Sequence, residues 1–205
     1  MRPAYSRIAW GLALELIDFR IQSFDVLPDA LGYLLIMIGL AGVQPRNGRF
    51  VAGWIAACAL LIESLPRLAG GPPIINLLQP QPLDSSQWLM MGGTAIVETI
   101  MLYGICVGIR GQALSEKGQA GLAHSALRTW QAVFGFGTAM LIALPFMLNA
   151  DRSTTTPWLV LLSLGAFIAG LSVIVLVRKA GKRRAADEDE GEEGADLTTE
   201  RVTEE

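Results

Sequence analysis

Four acidic side chains stand where lipid would have to solvate them: Glu15, Asp18, Glu63 and Glu98, each inside or beside an apolar segment. A charge at the centre of a membrane helix costs about 2.5 kcal/mol or more on insertion scales, so each needs a partner or a purpose. Glu15 and Asp18 are three residues apart and share one helical face, which Gly11 and Gln22 extend into a polar stripe. Glu98 lies near the middle of its segment and Glu63 toward the outer end of its own. Converging, these carboxylates would make an outward-facing site that binds a cation or relays protons. The local alternative satisfies each one where it stands. Glu63 has Arg67 at i+4, a normal helical pair, Asp18 has Arg20 nearby, and a protonated Glu98 can hydrogen-bond to an adjacent helix. The face bearing Glu15 and Asp18 must still meet other protein, and Glu98 is the first partner to seek.

Asp18, Asp25 and Asp29 also cluster in one loop and offer oxygen ligands to a hard cation, but their spacing matches no calcium-loop pattern. Helix initiation explains two of them: Asp25 can cap free amides, Pro28 fits a first turn, and Asp29 suits the positive helix end. Cys58 and Cys106 sit in separate apolar runs and read as inert packing rather than a disulfide or metal pair. His124 is the only histidine. The chain has no His-Glu-x-x-His, Gly-x-Ser-x-Gly, Gly-x-x-x-x-Gly-Lys or paired Cys-x-x-Cys. Hydrolase, ATPase and redox readings therefore have no support, and no cofactor is implied. Gly104-x-x-x-Gly108 is a small-x-x-x-small pattern, read as packing within the chain.

The elements that must position these residues are membrane helices. Only 17% of the 205 residues are charged and 52% are hydrophobic, against about 25% charged in soluble domains; the mean hydropathy is +0.43. Ten of the 19 acidic residues follow residue 186, so the pI of about 5.3 describes the tail. A bilayer core needs about 20 apolar residues per helix. Residues 88–109 and 158–177 supply them, 130–148 nearly so with Pro145 expected to kink or end the helix, and 50–66 and 30–43 are shorter. Segment 8–21 holds Glu15 and Asp18. The reading is six spans; the alternative is four spans plus a re-entrant pair made by the first two segments. With the N-terminus inside, 13 Lys and Arg fall on the cytoplasmic side and only Arg20, Arg67 and Arg152 outside, as the positive-inside rule requires. Both termini are expected in the cytoplasm. Residues 111–128 are expected as an inside helix leading into the fifth span, and Pro157 to open the last. Trp54, Trp88, Trp130 and Trp158 suit aromatic belts.

The stretch Asp18-Phe-Arg-Ile-Gln-Ser-Phe-Asp-Val-Leu-Pro-Asp-Ala-Leu-Gly-Tyr33 resembles a segment of small, uncharacterised bacterial multi-span membrane proteins, where it likewise joins an apolar N-terminal helix to the next. The resemblance covers about the first forty residues. It implies a bacterial plasma-membrane protein and brings no activity or site residues. The expectation is an all-α polytopic bundle over 1–180 and a disordered acidic tail over 181–205, which cannot bury enough apolar surface to fold alone. Its partners would be the lipid bilayer and a protein partner or second copy, with no nucleic acid. The leading functional reading is a non-enzymatic membrane component that binds or assembles with partners. The alternative is a small transporter or channel for a cation or protons using Glu15, Asp18, Glu63 and Glu98.

Overall fold

A computed structural model describes the backbone of residues 2–16, 20–21, 24–25, 29–43, 48–68, 85–116, 118–149 and 152–203, and the side chains of 3–16, 29–43, 48–66, 89–90, 92–116, 118–143, 157–158 and 160–186. Asp18 lies outside the described residues. So do Pro28 and most of the 69–87 loop.

The described chain is helical apart from a two-residue ladder. Helices α1 (Arg2–Leu16) and α2 (Asp29–Val43) have 15 residues each, about 22 Å at 1.5 Å per residue, short of a hydrocarbon core of about 30 Å. Between them β1 (Arg20–Ile21) and β2 (Phe24–Asp25) pair antiparallel, Arg20 opposite Asp25 and Ile21 opposite Phe24. Asp25 thus belongs to this ladder, four positions before α2, and not to the helix cap expected of it; Asp29 does open the helix. A 3-10 turn (Gly48–Phe50) leads into α3 (Val51–Leu68), followed by α4 (Ser85–Ser115), α5 (Ala120–Asn149) and α6 (Arg152–Thr203).

Three stretches of helix are long and apolar enough to cross a membrane: Gly48–Pro66, Gly92–Ser115 and Val160–Ala186. Their outer faces expose Ile62, Ile96, Val160, Leu161 and Val175, an apolar surface suited to lipid rather than water. Each helix packs on its chain neighbours, and α6 returns to α1, so the six helices close into a ring, with α4 also touching α6 across it. Ile8, Ile36, Leu40, Phe50, Leu60, Met101, Ile105, Val173 and Val177 fill the interior and are fully buried.

Glycine sets the closest approaches. A Cβ on Gly11 of α1 would lie 2.6 Å from the carbonyl oxygen of Gly32 on α2, and one on Gly39 would lie 2.8 Å from that of Ala4. The small-residue pattern on α4 works inside the chain: Gly104 lies against Gly53 of α3, and Gly108 against the Phe50 ring. Close backbone contact of this kind is how helices gain dispersion energy where no hydrophobic effect drives them together.

Several boundaries differ from expectation. The α4 helix extends to Ser115, and a turn at Gly118, whose φ of 85° suits glycine, starts α5 at Ala120. Residues 111–128 are therefore shared between two helices rather than forming one. Helix α5 runs through position 145, and α6 begins five residues before Pro157. Pro157 is the sixth residue of α6 and position 145 lies inside α5, and the backbone stays helical through both. Helix α6 runs on to Thr203, through the acidic stretch whose charge led to the expectation of disorder. Cys58 and Cys106 are both free.

Substituting Gly11 by leucine is expected to destabilise the protein by more than about 2 kcal/mol, since overpacking typically costs 1–3. Gly135→Ala, at a position with nothing within 4 Å, should stay within about 0.5 kcal/mol. Thermal unfolding of the purified protein in detergent measures both; equal midpoints for the two variants would contradict the glycine contact.

Candidate functional site

Glu15 sits one residue from the end of α1, where the tight Gly11–Gly32 crossing lays it along α2: a Cβ on Gly32 would lie 3.7 Å from that of Glu15. Asp29 opens α2 and Tyr33 follows one helical turn later, on the same face. Glu98 projects from α4. The charges that act on Glu15 are those of Glu98 and Asp29, and all three carboxylates act on the Tyr33 hydroxyl. Tyr33 Oη donates a hydrogen bond to Glu98 Oε1 at 3.1 Å. Three helices thus bring Glu15, Asp29, Glu98 and Tyr33 to one place.

Glu63 is held differently. Thr94 Oγ1, from the helix that carries Glu98, donates to Glu63 Oε1 at 2.5 Å, joining α3 to α4; the Arg67 side chain that the sequence offered as its partner lies outside the described residues. Asp18 does too, so three of the four candidates are placed: Glu15 and Glu98 near Tyr33, and Glu63 against Thr94.

Sequence reasoning passed over Tyr33 and read Asp29 as a helix-start residue or as one of three loop carboxylates with Asp18 and Asp25, not as a neighbour of Glu15 and Glu98. Their i, i+4 spacing was the available signal. It also passed over a second tyrosine bond. Glu98 and Gln112 lie two heptads apart on α4, about 21 Å, with Met101, Ile105 and Ile109 buried between them. At the far end the buried Tyr5 hydroxyl of α1 donates to Gln112 Oε1. Nearby, Arg184 of α6 pairs with Glu116 at 2.6 Å, and Gly181 packs on Tyr5. Two tyrosines of the α1–α2 hairpin therefore fasten it to α4 at both ends of a dry seam.

Chemically, the carboxylate end of the seam can accept protons or bind a cation. Like charges in a medium of low dielectric repel strongly, and a proton or a cation between them removes that repulsion. Among the described residues no group of three or more His, Cys, Asp and Glu side chains is placed to hold a metal ion. His124, on the solvent side of α5, is exposed. No protein-family model, no curated protein and no solved structure matches the chain.

Tyr33→Phe should lower stability by about 1–3 kcal/mol, the range for losing a hydrogen bond to an acceptor that is then left unsatisfied. In a Glu98→Ala background the same change should cost much less. A double-mutant cycle on thermal unfolding reads the difference, and strict additivity would show that the two side chains are not coupled.

Proposed function

We propose that this is a bacterial plasma-membrane protein that moves protons, with Glu15 and Glu98 as the groups that take up and release them. The observation that carries the reading is the Tyr33 hydroxyl bonded to Glu98, within electrostatic reach of Glu15 and Asp29, inside a chain with helices apolar enough to span a bilayer. Ionisable groups at membrane depth mark proton and ion pathways more often than structural pairs. Tyr33 has a hydroxyl to relay or withhold a proton, and it presents that hydroxyl to Glu98. A component that only assembled with partners would have no need to gather three carboxylates within the bundle.

The topology we infer is four spans, α3 to α6, plus a re-entrant α1–α2 hairpin, with both termini in the cytoplasm. Each hairpin helix is about 22 Å long, and Leu16 at the end of α1 meets Gly170 of α6, well inside the span that starts at Val160. The hairpin tip then ends within the membrane. Irregular backbone is tolerated at that depth only when protein or a water-filled cavity covers it, so this topology requires such cover at the tip. The α2 N-terminus at the tip brings the positive end of its dipole to the carboxylates, which helps hold a proton-free state long enough to be useful. Substrate and ion sites built at the broken ends of short helices near the midplane are a common transporter device.

Vesicles loaded with a pH-sensitive dye and given an imposed membrane potential test this. The native protein should carry protons above the rate of empty vesicles, and Glu98→Gln should reduce the flux about 100-fold, the scale of a lost proton-transfer group. Glu63→Gln, which keeps an oxygen to accept from Thr94, should retain it. Native flux no greater than that of empty vesicles would end the proposal.

A further inference from the structure

Between α4 and α5 runs an open groove of about 300 Å³, walled by Ile96, Ile100 and Tyr103 on one side and by Trp130, Phe134 and Leu141 on the other. Tyr103 and Trp130 meet edge to face at 4.9 Å, and Phe134 continues the aromatic row at 5.4 Å. The Thr99 hydroxyl is turned back to its own helix, donating to the Ala95 carbonyl at 2.7 Å, so the wall it contributes is its methyl group. The groove belongs to the lipid-exposed side of the bundle and is separate from the carboxylates.

What it fits follows from its size and from the charge at one end. A helix is about 10 Å across, too thick for a groove of this volume, whereas a single extended hydrocarbon chain is not. Following α4 toward its C-terminus, Arg110 comes seven residues after Tyr103, on the same face and about 10.5 Å further along. On the antiparallel α5, the residues at that level are those around His124, with Arg128 between them and Trp130. Arg110, His124 and Arg128 are all exposed, and neither arginine makes an ion pair among the described residues. This is the end that the distribution of Lys and Arg assigns to the cytoplasm. An apolar slot continuous with a basic rim is the arrangement that recognises an anionic lipid, chain in the slot and phosphate on the rim.

We propose that the α4–α5 groove is a binding site for one acyl chain of an anionic phospholipid, whose phosphate is held by Arg110 and Arg128. Trp130 stands in the groove wall and reports on its occupant. In a protein retaining Trp130 alone (Trp10, Trp54, Trp88 and Trp158 replaced by Phe), phosphatidylglycerol with brominated chains should quench its fluorescence with about fivefold preference over brominated phosphatidylcholine, the discrimination that one basic side chain at an anionic surface supplies. Arg110→Gln combined with Arg128→Gln should abolish the preference and leave the depth of quenching at saturation unchanged. Equal quenching by the two lipids, or a preference that survives the double substitution, overturns the proposal. So does efficient disulfide crosslinking of Ile100→Cys between two chains, which would make a second copy the occupant. Should the single-tryptophan protein fail to fold, native mass spectrometry of the full chain decides the matter: phosphatidylglycerol retained by the native protein and lost from the arginine double variant supports it, and equal retention refutes it.

Discussion

The backbone contact between Gly11 and Gly32 fixes how the polar groups of α1 and α2 stand relative to one another. Because no side chain separates α1 from α2 at that crossing, the two short helices behave as one rigid hairpin. Glu15 is carried to the level of Tyr33, and Tyr5 to the level of Gln112. The same economy recurs on α4, where Gly104 meets Gly53. Between helices in lipid, contact area and hydrogen bonds replace the hydrophobic effect as the source of association, so the positions of small residues decide the architecture.

Polar groups in this protein sort into two kinds. Gln112 and Glu116 lie toward one end of the seam and are answered by Tyr5 and Arg184, a neutral bond and an opposite charge. Glu15, Glu98 and Asp29 lie at the other end, where their like charges act on one another and the Tyr33 hydroxyl donates to Glu98. The first kind joins neutral or opposite partners, although Gln112 Nε2 and Arg184 Nε are buried without a hydrogen-bond partner. The second gathers like charges, which repel in a medium of low dielectric, and the proposed proton function is built on that gathering.

Much of this could be read from the residues, and the rest could not for identifiable reasons. Glu15 and Glu98 announce themselves because charge is rare in apolar segments, and the polar stripe on α1 pointed to Glu98 across the bundle. The short run over 30–43 already suggested a helix too brief to span comfortably. Thr94 could not be found, since nothing in its type or spacing separates it from other threonines, and only the α3–α4 packing brings it to Glu63. Tyr33 was hidden by being one aromatic among many. Pro145 does not end α5 and Pro157 does not open α6, since both helices run on through those positions, and a proline's type alone does not tell which turn of a helix it occupies.

The ring has a consequence for how the protein is made. Each helix finds its neighbour as soon as the next one emerges, so most contacts are local and form quickly. The exception is the α1–α6 seam, which joins the first helix to the last. Until α6 arrives, the side of α1 that will meet Gly170 and Gly181 lacks the protein that covers it in the finished fold. The last helix to be made is therefore the one that completes the enclosure of the first.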